Sequence, residues 1–95
     1  MGTDDTSRYE IGMRVLGTAL RQRRTHAGWT IRELADRTGL SLDTIVSVET
    51  GRRLPSLRTL DVLALAYGTP AFELLRNVFP WSGGVPPDEP SDAGA

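Results

Sequence analysis

Apolar residues recur at three- and four-residue intervals along most of this chain, which is the period of an α-helix with one buried face. The first such stretch extends from Tyr9 to Leu20, and Ser7 with Glu10 three residues later has the pattern of a capping box. The spacing therefore predicts a first helix that begins at Ser7 and runs to about His26.

Four shorter helices are predicted after it, each opened by a capping residue and closed by a glycine or proline. The second helix starts at Thr30, with Glu33 completing a capping box, and stops at Gly39. The third starts at Ser41 and stops at Gly51, and the fourth starts at Ser56 and stops at Gly68. The fifth starts at Thr69-Pro70 and ends by Pro80. The predicted inward-facing residues are Leu34, Ala35, Ile45, Val48, Leu57, Leu60, Leu63, Ala64, Tyr67 and Leu74. Because no stretch alternates apolar and polar residues as a strand does, the predicted fold class is all-α.

Composition divides the chain into three segments. Residues 1–13 are an amino-terminal extension that includes the start of the first helix, and residues 14–79 are the folded domain. Residues 80–95 contain "WSGGVPPDEPSDAGA", which is rich in proline, glycine and acidic residues, and this composition predicts a disordered acidic tail.

Several function classes have no support in the sequence. The amino terminus lacks a signal-peptide pattern and no apolar run is long enough to cross a bilayer, so we expect no membrane partner and a cytoplasmic location. The chain has no cysteine and a single histidine, and no metal-ligand cluster or nucleophile–base pair stands out. We therefore expect no enzyme activity, no catalytic residue, no metal and no cofactor.

The net charge of −1 hides an uneven distribution. Residues 14–58 hold nine arginines against four acidic residues, a net charge of +5, whereas residues 1–13 carry −2 and residues 59–95 carry −4. A basic centre of this kind favours a polyanionic partner, and arginine is the cation best suited to phosphate.

The basic centre contains two predicted helices joined by "TGLS", a helix-turn-helix arrangement. With its flanks, this region resembles the phage repressor and Cro family of helix-turn-helix proteins, also called the XRE family. The matching elements, within residues 16–75, are Leu20-Arg21, Arg24, Gly28, Thr30, Glu33-Leu34-Ala35, Gly39, Ser41, Ile45, Glu49, Gly51, Arg52, Pro55, Leu60 and Leu74. The resemblance implies a compact five-helix lambda-repressor-like DNA-binding domain, with the motif at about residues 30–50 and helix 41–49 in the major groove.

The resemblance also implies roles for individual residues. The base-reading residues would be Leu42, Asp43 and Ser47, with Ser41, Thr44 and Val46 beside them. Asp43 can accept from a cytosine amino group and Leu42 can pack on a thymine methyl, although a first-turn acid is also favoured by the helix dipole alone.

Backbone contacts are expected around the same helix. The phosphate-binding residues would be Thr30, Arg32, Thr50, Arg52, Arg53 and Arg58, the alternative being an ordinary solvated basic face. The resemblance further implies a structural ion pair between Arg21 and Glu49.

Apolar residues accumulate towards the carboxy-terminal end of the domain. The residues concerned are Val62, Leu65, Phe72, Leu75, Val78, Phe79 and Trp81. We interpret them as a dimer or partner surface, which in a two-fold homodimer would place two reading helices one DNA turn, ~34 Å, apart. In the alternative, the aromatic residues fold back over the small core.

The sequence therefore predicts a sequence-specific regulator of transcription that binds double-stranded DNA, acts as a repressor and forms a homodimer. It would be bacterial or phage-encoded and associated with the nucleoid when bound. The alternative is a protein-binding module or antitoxin that uses its carboxy-terminal apolar surface to hold a protein partner.

Overall fold

The computed structural model describes residues 2–79, with side chains from Ser7 onward. Within that range the chain forms helices and turns and no strand, which confirms the all-α prediction. The five helices are α1 (Gly2–Ala27), α2 (Ile31–Thr38), α3 (Leu42–Glu49), α4 (Leu57–Tyr67) and α5 (Ala71–Leu74). The predicted tail, and Trp81 with it, lies outside the described residues.

The helix boundaries follow the capping residues of the middle of the chain. At α2, the backbone N–H of Glu33 donates to Thr30 Oγ1 at 3.0 Å and the N–H of Thr30 donates to Glu33 Oε1 at 2.8 Å, so the predicted capping box is confirmed. Ser41 and Ser56 cap α3 and α4 in the same way. Gly39 ends α2 with φ at 78°, a left-handed conformation that glycine adopts without strain.

Both terminal helices differ from the prediction. α1 begins at Gly2, so Ser7 lies inside the helix and does not cap it, and α1 passes through residues 13 and 14 without a break. α5 begins at Ala71 with Pro70 in the capping position, one residue later than predicted.

The core lies where α1 packs against α3 and α2 and α4 close over them. Its buried members are Leu16, Leu20, Leu34, Ile45, Val48, Leu60, Leu63, Ala64, Leu74 and Val78. Leu57 was predicted to face inward but is exposed, because it occupies the first position of α4 and precedes the buried side of that helix. Among the described residues, no helix combines the length and the apolar character needed to cross a membrane.

Two glycines let other segments approach α1 closely. A methyl group on Gly17 would lie 2.5 Å from the carbonyl oxygen of Glu49 and 2.6 Å from that of Val48. A methyl group on Gly12 would collide with the ring of Phe79. Glycine lowers helix propensity at both positions, but at Gly17 its lack of a side chain brings α1 against the last turn of α3.

Aromatic stacking joins the loop after α1 to α4. The rings of Trp29 and Tyr67 are stacked, with centroids 5.5 Å apart, and the guanidinium of Arg37 lies 4.1 Å from the Trp29 ring centroid. The Tyr67 hydroxyl is buried and has no hydrogen-bond partner among the residues that the structure describes. Burial raises the pKa of Tyr67 to about 12, with a further contribution from the negative charge of Glu49.

Candidate nucleic-acid interface

Helix α3 buries one side and presents the other to solvent. Ile45 and Val48 belong to the core, whereas Leu42 at its start is 41% exposed and the Asp43 side chain is 78% exposed. Thr44 and Val46 are intermediate. The outward face of α3 therefore combines an aliphatic residue, a carboxylate and a hydroxyl, which are groups that can contact base edges.

Ser47 does not share this exposure. The turn that follows α3 folds back over it, because the N–H groups of Arg52 and Arg53 both donate to the Ser47 carbonyl oxygen, at 2.9 and 3.2 Å. The residue retains only 9% of its accessible surface. Ser47 therefore presents less of its surface to a DNA groove than Leu42 or Asp43 does.

The hydroxyl groups around α3 are used within the protein. Ser41 Oγ accepts from the Thr44 N–H at 3.0 Å, and it donates to Thr44 Oγ1 at 2.9 Å. Thr50 Oγ1 donates to the Val46 carbonyl oxygen at 2.7 Å. Thr30 holds the capping box of α2. The hydroxyl groups of these residues are therefore already engaged within the protein. Their backbone groups are more available to DNA than their hydroxyl groups are.

Four arginines remain exposed beside α3. Arg32 lies in the first turn of α2, and Arg52 and Arg53 lie in the turn after α3. Arg58 lies in the first turn of α4 and, with Arg53, borders a surface cleft of about 450 Å³. The amino-terminal ends of α3 and α4 meet in this cleft, since both capping serines line it.

This convergence of helix ends was not anticipated from the sequence. Helix amino termini and arginines both attract phosphate groups. The capping pattern at Ser56 identified the start of α4. Its proximity to the start of α3 required the tertiary fold.

The structural ion pair involves a different arginine from the one predicted. Arg24, not Arg21, binds Glu49, with Arg24 Nε 2.8 Å from Oε2 and Nη2 2.9 Å from Oε1. Arg24 Nη1 also donates to the Trp29 carbonyl oxygen at 3.0 Å. Arg21 is exposed. The two arginines are three residues apart on one side of α1, and the fit of α1 against α3 places the later one opposite Glu49.

The predicted apolar surface is only partly a surface. Val78 is buried in the core, because Asn77 adopts a left-handed conformation with φ at 68° and turns the chain back. Phe79 packs edge-on against Tyr9 of α1, with ring centroids 5.5 Å apart, and Arg8 lies 5.2 Å from the Phe79 centroid. The fold-back alternative concerned the aromatic residues, and Phe79 does fold back onto α1, although 36% of it stays exposed; Val78 was expected at the surface and is buried.

Other members of that set remain exposed. Leu65 on α4 is 72% exposed and Phe72 on α5 is 67% exposed, with Leu75 less so. Val62 lines the cleft with Arg53 and Arg58. We refer to Leu65, Phe72 and Leu75 as the apolar patch.

The described residues contain no group of three or more acidic or histidine side chains placed to hold a metal ion.

The helix-turn-helix domain family matches residues 15–76, more than half of the chain. An uncharacterized HTH-type transcriptional regulator of Methanothermobacter thermautotrophicus is 41% identical over 51 residues, which cover 54% of this chain and 74% of that protein. The crystal structure of the clp gene regulator ClgR from C. glutamicum is similar with a TM-score of 0.63 at 31% identity, covering 70% of this chain and 87% of that one. This chain therefore belongs to the helix-turn-helix domain family, which confirms the family predicted from its motif residues.

Proposed function

We propose that this protein is a transcriptional regulator that binds double-stranded DNA sequence-specifically, with α3 in the major groove. The observation that carries this proposal is the outward face of α3 together with the cationic groups on either side of it. A groove-reading helix needs side chains that contact base edges and flanking groups that hold the phosphate backbone. Both are present here at the motif that the family match covers.

Base reading falls to the exposed residues of α3. Leu42 suits a thymine methyl, Asp43 suits the amino group of cytosine, and Val46 adds a further apolar contact. Thr44 and Ser41 support this face through their hydrogen bonds to each other. Ser47 contributes less, because it is covered by the following turn.

Phosphate binding falls to groups on both sides of α3. Arg58 and the amino termini of α3 and α4 form one backbone site at the shared cleft. Arg52 and Arg32 supply charge at the ends of α3 and α2, where Thr50 and Thr30 hold the local backbone. Such contacts fix the register of the protein on DNA without reading sequence.

Repression by occupation of a promoter is the simplest activity for a domain of this kind. The two similar proteins support a regulatory role, since one is named a transcriptional regulator and the other a gene regulator. We infer that the protein is bacterial or phage-encoded, is cytoplasmic, and is associated with the nucleoid when it is bound to DNA.

The apolar patch is the proposed homodimer surface. Leu65 and Phe72 are both largely exposed apolar side chains on two helices that contact each other, and a two-fold contact there would pair two copies of α3. Phe72→Glu should shift the protein to monomers in sedimentation equilibrium. Ile11→Glu is the matched control, since Ile11 is similarly exposed, on α1. A dimer that survives Phe72→Glu would contradict this assignment.

The same patch favours a second candidate function, a protein-binding module or antitoxin. The salt dependence of DNA binding separates this candidate from a DNA-binding regulator. Fluorescence anisotropy with a short mixed-sequence duplex would be measured between about 50 and 200 mM KCl. For DNA binding we expect log K to fall against log salt with a slope of about −3 to −5, as for four to five phosphates. Absence of salt-dependent DNA binding would favour the protein-binding alternative.

A further inference from the structure

Arg53 connects the two ends of the reading helix. Its backbone is held by the bond from its N–H to the Ser47 carbonyl oxygen at 3.2 Å. Its side chain reaches back to the first turn of α3, where Nη1 donates to Thr44 Oγ1 at 3.3 Å and Nη2 lies 3.9 Å from Asp43 Oδ2. A residue of the turn after α3 thus contacts two side chains at the start of α3.

This contact contributes little to the stability of the fold. The side chains of Arg53 and Asp43 are 52% and 78% exposed, and exposed ion pairs of this kind are weak. The position of the Arg53 side chain is therefore not explained by the stability of the core. The pair lies on the face of α3 proposed to enter the groove.

An isolated Asp43 carboxylate would be unfavourable there. Phosphates within a screening length of about 8–10 Å repel it, and a freely rotating side chain would present its oxygens in many directions. A guanidinium 3.9 Å away offsets part of that charge, and its hydrogen bond to Thr44 Oγ1 at 3.3 Å fixes where the positive charge lies beside Asp43. The remaining N–H groups of Arg53 stay available to a phosphate.

We propose that Arg53 is a positioning residue for sequence reading, which orients Asp43 and Thr44 towards the base edges, and is not a sequence-independent phosphate ligand like Arg52. The inference rests on the proposed function of α3. Arg53 then determines specificity at the base pair that Asp43 contacts, although it touches no base itself.

The test uses the duplex that the wild-type protein selects from a random pool, all its single-base-pair variants and a random duplex. Dissociation constants and salt slopes are measured for wild type, Arg53→Lys, Asp43→Asn and the double variant. Arg53→Lys keeps the positive charge but loses the guanidinium Nη1 that donates to Thr44 Oγ1. We expect it to keep the salt slope and to lose on the order of tenfold preference at the base pair that Asp43→Asn also affects.

The double variant tests the coupling directly. If Arg53 acts through Asp43, the double variant should be no less selective at that base pair than the worse single variant. Arg76→Lys is the matched control, because Arg76 forms an exposed ion pair with Glu73 at α5, outside the proposed interface, and it should leave every base preference unchanged. Circular dichroism would verify that all variants are folded.

Two results would overturn the inference. One is an Arg53→Lys protein with wild-type preferences at every base pair. The other is an Asp43→Asn protein whose preferences are unchanged, since Arg53 would then have no reader to position. Failure of the proposed function is distinguishable, because the wild-type protein would then select no duplex before any variant is compared.

Discussion

Arg24 of α1 and Glu49 of α3 form a two-point ion pair whose side chains are only 11% and 6% exposed. The bond from Glu49 raises the pKa of Arg24, so the guanidinium stays charged at any pH at which the protein folds. The pair closes the contact between the first helix and the end of the reading helix. It therefore links the stability of the domain to the placement of its DNA-binding face.

Removing one member of this pair should be costly. Arg24→Ala should lower the free energy of unfolding by about 3–5 kcal/mol, because it leaves the Glu49 carboxylate buried without a partner. Arg21→Ala, three residues earlier on α1 and exposed, should change it by less than about 0.5 kcal/mol. Urea titrations of the three proteins make the comparison. Equal losses in the two variants would show that the pair has been assigned to the wrong arginine.

Gly17 should be intolerant of a side chain. By helix propensity alone, Gly17→Ala and Gly12→Ala would each stabilise α1 by about 1 kcal/mol. The structure instead predicts that Gly17→Ala destabilises the fold by about 2–3 kcal/mol, because backbone carbonyl groups of α3 cannot yield easily.

Gly12→Ala is the control for that effect. The obstacle there is the ring of Phe79, a partly exposed side chain that can swing away. We expect the melting temperature to fall clearly for Gly17→Ala and to change much less for Gly12→Ala. A Gly17→Ala protein as stable as wild type would contradict the close approach of α1 and α3.

The local elements were predictable from the sequence because their signals are local. The Thr30–Glu33 capping box and the serine caps at Ser41 and Ser56 act within three residues, and they set the starts of α2, α3 and α4 as predicted. The start of α1 was not predictable in this way. The capping pattern at Ser7 indicated a start there, but the helix begins at Gly2 and continues through Ser7.

Contacts between distant segments explain the other differences. Arg24 and not Arg21 pairs with Glu49 because of the position of α1 along α3. The close contact at Gly17 helps to set that position. The burial of Val78 depends on the left-handed turn at Asn77. Each outcome depends on packing between residues far apart in the chain, which helical periodicity does not encode.

Tyr67 should give the protein a distinctive alkaline response. Below pH 10 the tyrosine is protonated in both states. Between pH 10 and the folded-state pKa of about 12, the unfolded chain releases the proton while the folded protein retains it, so stability falls as pH rises through this window. The loss should reach roughly 2 kcal/mol after allowance for partial solvent screening.

Tyr67→Phe should remove this component of the pH dependence. At pH 7 the same substitution should change stability by less than about 0.5 kcal/mol, because the buried hydroxyl has no hydrogen-bond partner among the described residues. Denaturant unfolding at pH 7, 9 and 11.5 measures both effects. A large loss of stability at pH 7 would mean that the hydroxyl is bonded.

Reading and anchoring residues should respond differently to substitution. Leu42→Ala should change which duplexes are preferred, by about 1–3 kcal/mol at an affected base pair. Arg52→Ala should weaken binding to selected and random duplexes alike and flatten the salt slope by about one unit. Ser47→Ala should change preference less than Leu42→Ala, since Ser47 is largely covered. Similar effects of Leu42→Ala and Arg52→Ala on random duplexes would refute the assigned reading face.

The central claim is that α3 reads DNA sequence, and selection from a random duplex pool by the purified protein at near-physiological salt tests it most directly. We predict enrichment of a palindrome whose half-sites lie one helical turn, ~34 Å, apart. A single enriched half-site would retain the reading helix and contradict the dimer. A pool that emerges unchanged would contradict sequence-specific DNA binding and direct attention to a protein partner at the apolar patch.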